Sequence, residues 1–267
     1  MLAYFVHGSY IARYRALWEY SDMKRLFMLV FATYTLVAPA QPLHAACAGN
    51  CTDGKGGFVF DDGRRYTGEW KNGLPDGEGA CVFPDGSRYD GLWKNGVMHG
   101  LGTITYPNER KYSGNWEKGE WQGEGSYTYA DGSRYTGGWK KNQRHGNGTF
   151  IGSDGMKYTG EWRNDRRHGY GTLIHPDGRT YSGEWDNDRQ SGFGTCVFPD
   201  GEKYRGDWKD GKRHGNGTCL FPDGNKYTGN WEEDREHGDG TLIVYPMGIE
   251  YRVRMERGTL IQMKRKY

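Results

Sequence analysis

Apolar and polar positions alternate in short bursts along most of this chain instead of recurring at helical spacing. In Tyr66-Thr67-Gly68-Glu69-Trp70 the rings and the glycine fall on one side, and Thr67 and Glu69 on the other. That two-residue period is the mark of a half-buried strand. A second burst, Gly79-Ala80-Cys81-Val82-Phe83, places Gly79, Cys81 and Phe83 on one face and Ala80 and Val82 on the opposite one. The bursts are linked by Phe83-Pro84-Asp85-Gly86. Proline at the second and glycine at the fourth position predict a type I turn whose glycine takes the left-handed conformation a hairpin needs. The other link, Lys71 to Asp76, reads as a longer polar loop.

The unit recurs at 23-residue spacing, in eight copies held in one register. Its Tyr and Trp members are Tyr66 and Trp70, Tyr89 and Trp93, Tyr112 and Trp116, Tyr135 and Trp139, Tyr158 and Trp162, Tyr181 and Trp185, Tyr204 and Trp208, and Tyr227 and Trp231. Each Trp is followed seven residues later by Gly-x-Gly, from Gly77 and Gly79 through Gly238 and Gly240. A strict period of this length sets the whole architecture. A strand glycine such as Gly68 leaves a slot over which a neighbouring ring can lie flat, giving one sheet an apolar face without a second layer. These sixteen rings are therefore mainly structural. They are also the candidate binding face wherever they line an open groove.

The motif Tyr-x-Gly-x-Trp-x-x-Gly-x-x-x-Gly-x-Gly resembles the MORN (membrane occupation and recognition nexus) repeat, over residues 54 to about 250. The resemblance implies an all-β fold: an elongated, twisted, single-sheet antiparallel β-meander, an open solenoid-like stack of hairpins often curled into a groove. About seventeen strands at ~4.8 Å would extend it to ~80 Å. Residues 54–250 then hold a half repeat and eight full units, with 46–53 as an N-terminal cap and 251–267 as a degenerate C-terminal cap with a basic tail. Departures from the motif predict irregularity. Glu109 replaces the turn glycine, Gly152 and His175 replace the strand aromatic, and Val253 and Met255 stand where Gly and Trp belong. The ending Lys264-Arg265-Lys266 would protect a last edge strand by charge.

Composition agrees with a repeat protein: 44 of 267 residues are glycine and 15% are aromatic, so a deep aliphatic core is not the source of stability. The formal net charge is +2, and Arg13, Arg15, Lys24 and Arg25 against Glu19 and Asp22 account for all of it. A neutral repeat region offers no footprint for nucleic acid. Residues 23–45 read as a secretory signal peptide: Met23-Lys24-Arg25, an apolar run from Leu26 to Ala38, and a proline-broken end at Ala45. Residues 1–22 are then an over-extended start, and an uncleaved anchor is the weaker reading because the apolar run is too short to span a bilayer. The expected location is the periplasm or cell envelope, as in an exported bacterial protein.

Cys47 and Cys51 stand four apart just after the expected cleavage point, where an oxidising compartment favours a disulfide. Lipidation of Cys47 is the alternative, and it excludes that bond. Cys196 and Cys219 are equivalent in adjacent repeats, two strands or ~9.6 Å apart, beyond the ~7 Å limit for a bridge. His99, His145, His168, His214 and His237 form a ladder with rungs too far apart to converge on one metal ion. Arg144, Arg166, Arg167 and Arg213 make a candidate basic rim, although Asp165, Asp188, Asp234 and Glu236 belong to the same loops. No phosphate-binding loop, nucleophile elbow or metalloprotease motif is present, so neither catalysis, a cofactor nor a small-molecule substrate is expected. The sequence points to a non-enzymatic scaffold that binds a protein partner or itself. Anionic phospholipid membranes are the alternative ligand, and an envelope glycan is the third.

Overall fold

A computed structural model of the protein describes residues 47–266, and every described element is a β-strand. The expected signal peptide and the segment before it lie outside the described residues. The first strands are β1 (Ala48–Gly49), β2 (Gly54–Val59), β3 (Arg65–Lys71), β4 (Leu74–Val82), β5 (Arg88–Lys94), β6 (Val97–Thr105) and β7 (Lys111–Glu117). They continue as β8 (Glu120–Thr128), β9 (Arg134–Lys140), β10 (Gln143–Ile151), β11 (Lys157–Arg163), β12 (Arg166–Ile174) and β13 (Thr180–Asp186). The last are β14 (Arg189–Val197), β15 (Lys203–Lys209), β16 (Lys212–Leu220), β17 (Lys226–Glu232), β18 (Arg235–Val244), β19 (Ile249–Glu256) and β20 (Thr259–Arg265). Each strand pairs antiparallel with the next in chain order, giving one open meander that does not close into a barrel.

The described residues form twenty strands, above the expected seventeen, because the caps also form strands. The supposed polar loop at Lys71–Asp76 is a correction to the sequence reading. β3 and β4 are joined by the two-residue turn Asn72-Gly73, both at positive φ (51° and 73°), and β4 begins at Leu74. Asn-Gly is the strongest short hairpin signal, because both central residues of a type I′ turn must have positive φ. The extra length is taken up inside the strand, where the register shifts between Gly68 and Trp70. The other turn is as expected: the Gly86 amide donates to the Phe83 carbonyl at 2.9 Å, and the Phe83 amide to Ser87 at 2.8 Å.

The expected irregularity in mid-sheet does not occur. The amides of Gly152 and His175 donate to Met156 and Arg179, both at 2.8 Å, the same bond that Phe83 makes. The hairpin is set by its backbone bonds and a left-handed glycine (Gly155, Gly178), so the replaced aromatic is dispensable locally. Glu109 accepts the left-handed conformation of the glycine it replaces, with φ 66°.

The inner face holds the core. Tyr and residues of the second burst alternate across the sheet in one row, as in Tyr66↔Cys81↔Tyr89↔Ile104↔Tyr112. Beside it runs a row of glycines, Gly56↔Gly68↔Gly79↔Gly91↔Gly102. A Cβ on Gly68 or Gly79 would overlap the Tyr66 ring end, which lies across both. The Tyr66 hydroxyl donates to the Glu69 carbonyl at 2.8 Å, and Trp93 Nε1 donates to Gly79 at 3.2 Å, so both polar ring atoms are satisfied.

From Tyr66 to Tyr204 each repeat tyrosine meets the tryptophan of its own unit and that of the next edge to face, Tyr112 also stacks on Trp121, and the last, Tyr227, meets Trp231 alone. Tyr66 lies 5.2 Å from Trp70 and 5.2 Å from Trp93; Tyr89 lies 5.2 Å from Trp93 and 5.2 Å from Trp116. The alternation continues to Trp231 and makes a continuous aromatic zipper in place of an aliphatic core.

Candidate functional site

Burial decides which residues can meet a ligand. The eight repeat tyrosines are 0–2% exposed and the eight repeat tryptophans 2–6% exposed. The groove side of the sheet is thus filled by its own rings, and the candidate aromatic face is the core. Burial pushes the Tyr66 and Tyr227 hydroxyls up to about 12, and raises those of Tyr89, Tyr112, Tyr135, Tyr158, Tyr181 and Tyr204 further. Surface depressions of 210 Å³ beside Glu117, Lys118 and Lys141, and of 380 Å³ beside Lys55, Glu69 and Trp70, are lined mainly by charged side chains and glycine.

The arginine rim is largely spent within the fold. Arg144 lies over the Trp162 ring at 4.2 Å, and its Nε donates to Asp165 Oδ1 at 3.2 Å. Arg167 repeats the arrangement with Trp185 at 4.3 Å and Asp188 at 3.1 Å. Arg213 covers Trp231 at 4.4 Å and pairs with Asp234 and, at 2.6 Å, with Glu202. Arg166 stands apart: it is exposed, and its guanidinium reaches Asn187 at 3.4 Å. Three of the four rim arginines are therefore staples between repeats. Asp165, Asp188 and Asp234, noted beside them in the sequence, are their partners, and Glu236 is not.

A regularity within the repeat explains the pairing. From Pro75 to Arg213 the amide 21 residues after the rim position donates to that position's carbonyl, as Asp165 does to Arg144 and Gly96 to Pro75; at Glu236 the donor is Gly258, 22 residues on. The donor sits at positive φ. Where the rim residue is Pro75, Met98 or Gln190, the donor is Gly96, Gly119 or Gly211. Where it is arginine, the donor is aspartate, at φ 67°, 68° and 70° for Asp165, Asp188 and Asp234. The aspartate carboxylate accepts both the arginine amide and its guanidinium, which offsets the left-handed backbone.

Cys47 and Cys51 are joined in a disulfide with Cα atoms 6.1 Å apart, beside the short strand β1. Cys81, Cys196 and Cys219 are free and buried. Cys196 and Cys219 flank Tyr204 on either side, so a strand separates them. Burial pushes the Cys81 and Cys196 thiols up to about 11, away from thiolate chemistry. The ladder histidines His99, His145, His168, His214 and His237 lie on five separate strands. His168 Nδ1 reaches Asp186 at 3.4 Å, and among the described residues no three His, Cys, Asp or Glu side chains gather around a common point.

The outer face carries what remains open, and sequence reasoning passed over it. The signal was there in the polar partners of each alternation. Thr67, Ala80 and their equivalents form one row, Arg65, Val82 and theirs a second, and Glu69, Glu78 and theirs a third. In β4–β6 this face bears Leu74, Leu92, Val97 and Leu101, all exposed, with Leu101 at 64%. The Leu92 side chain lies across Gly100, next to Leu101.

A one-sheet stack of hairpins with a Tyr/Trp zipper laid over glycine rows is a β-repeat scaffold. The MORN repeat family matches residues 66–88, 89–109, 112–134, 135–157, 158–178, 181–203, 204–226 and 227–243, and the chain belongs to that family. No curated protein matches the chain. Among solved structures it is similar to the TCP domain of SAS-4 from Drosophila melanogaster, described in complex with a proline-rich motif of Ana2. Identity there is 14%, covering 84% of this chain and 99% of that one, with a TM-score of 0.28. The TCP10 domain of CPAP from Danio rerio is 17% identical over 79% of this chain and 99% of its own, with a TM-score of 0.27. A streptogramin B lyase is 11% identical over 83% and 93%, with a TM-score of 0.15.

Proposed function

We propose that this MORN-repeat chain is an exported, non-enzymatic scaffold that docks a protein partner, or a second copy of itself, on the outer face of β4–β6. The observation behind the reading is exposed Leu92 beside Leu101 on β5 and β6, with exposed Leu74 and Val97 further along the same face, on a sheet whose opposite face is filled. Exposed aliphatics gathered on a rigid surface mark an interaction site more often than scattered ones do. Export rests on the Met23–Ala45 signal pattern, and the Cys47–Cys51 disulfide suits the oxidising envelope it leads to. Anionic membranes are the weaker ligand, because Arg144, Arg167 and Arg213 are neutralised by their partners.

The test compares cross-linking and affinity capture in the native envelope between the wild type and Leu92→Ser/Leu101→Ser. A partner or dimer lost in the variant, with the thermal midpoint unchanged, supports docking on this face. Equal capture by both proteins, or capture by neither, refutes it. Salt-sensitive flotation with anionic vesicles that the variant retains would favour the membrane instead.

A further inference from the structure

A different stretch of the outer face, β7–β12, has its own chemistry. Lys111, Arg134 and Lys157 stand at equivalent positions on alternate strands, all exposed, ~9.6 Å apart at two strand spacings. None of the three has an ion pair among the described residues, whereas Arg88 in the same row is held by Asp90. Between them across the sheet lie Thr128 and Ile151, and Ile174 follows Lys157. Ile151 and Ile174 are 45% and 42% exposed.

The adjacent row is an unbroken hydroxyl ladder of Ser113, Ser126, Thr136, Thr149, Thr159 and Thr172, one per strand. Beyond it the third row is Asn115, Glu124, Gly138 and Asn147 before Glu161, whose carboxylate accepts the Tyr170 amide at 2.9 Å. Those carboxylates start four residues along the strand from the cations, ~13 Å away, further than the ~8 Å over which charge is felt at physiological salt.

From this arrangement we infer that the outer face of β7–β12 binds a linear acidic polysaccharide. Cations recur at roughly the length of two linked sugar rings, which suits a chain with one carboxylate per disaccharide. Aliphatic side chains between the cations meet the apolar faces of the rings, and the ladder offers donors and acceptors to the sugar hydroxyls. A protein partner is a poorer match, since serine and threonine are under-represented among residues that carry protein binding energy. A flat bilayer is poorer too: the sheet turns by roughly 20° per strand, so the cation row leaves any one plane, while a flexible chain can follow it. This site is separate from the aliphatic cluster on β4–β6, and either reading can fail alone.

Retention of the full chain by immobilised hyaluronate, which has one carboxylate per disaccharide, tests the inference. A neutral β-glucan and phosphatidylglycerol-containing vesicles serve as comparison ligands. Lys111→Glu/Arg134→Glu/Lys157→Glu should weaken hyaluronate binding about tenfold or more. Thr136→Val/Thr149→Val/Thr159→Val, which keeps the β-branched shape, should weaken it severalfold with charge unchanged. All six positions are exposed except half-buried Thr149, whose hydroxyl bond to Thr159 the second variant also removes, and an unchanged thermal midpoint verifies folding of both. No retention on hyaluronate, equal retention on the neutral glucan, equal binding by the charge-reversed variant, or stronger binding to vesicles would each overturn the inference.

Discussion

A glycine in this sheet is required for one of two separable reasons. Gly171 lies beneath the Tyr158 ring, where a Cβ would overlap the ring end. Gly178 has open space around it but sits in a turn at φ 91°, which L-residues rarely adopt. Gly171→Ala should therefore cost about 3 kcal/mol through overpacking, and Gly178→Ala only about 1 kcal/mol through backbone strain. Urea unfolding of the two variants measures the difference. If the turn variant is the more damaged, the ring-over-glycine account of the core is wrong. Glu109 shows that the turn requirement is soft, since a glutamate holds φ 66° there.

The hairpin is the unit at the next scale, and its neighbours are joined by more than the sheet ladder. Arg144 spans the junction by covering Trp162 and by binding the Asp165 carboxylate, with both side chains mostly buried (13% and 16% exposed). A charged hydrogen bond shielded in this way couples its partners more strongly than an exposed pair does. In a double-mutant cycle of Arg144→Met and Asp165→Gly, a coupling of about 1–2 kcal/mol is expected. Asp165→Gly alone should cost less than the coupling, since glycine removes the left-handed strain at φ 67°. Additive effects in thermal unfolding would mean that the staple contributes nothing.

For the molecule as a whole, stability at high pH is tied to the zipper. All eight repeat tyrosines have hydroxyls raised by burial, Tyr66 and Tyr227 to about 12 and the other six further. A free tyrosine loses its proton near 10. Above that pH the unfolded chain holds fewer protons than the folded one, so stability falls as pH rises. Their contribution is complete below ~10 and is lost towards the raised folded values, at about 1.4 kcal/mol per tyrosine per pH unit. Tyrosinate absorbance and far-ultraviolet circular dichroism should change together in one steep step above pH 10. A broad absorbance titration with the dichroism unchanged would contradict this linkage.

The period, the strands, the Pro-Asp-Gly turns and the need for glycine under rings were all legible in the chain, because each depends on residues a few positions apart. The type I′ turn at Asn72-Gly73 is legible too, but the polar residues flanking it make it resemble a loop and the strand bulge hides the continuation. Partnerships 18 and 21 residues apart, Arg144 with Trp162 and with Asp165, were not legible. They exist only once register sets one repeat against the next. The fate of the aromatic rows was decided the same way. Whether Tyr and Trp line an open groove or fill it depends on how neighbouring hairpins pack, and here rings such as Trp93 are closed between those of adjacent hairpins. The sequence by itself therefore determined the repeat and its hairpins, through local period and turn chemistry. Only the tertiary structure decided how completely the ring-bearing face is buried and which face is left exposed, because burial is a property of the assembled sheet.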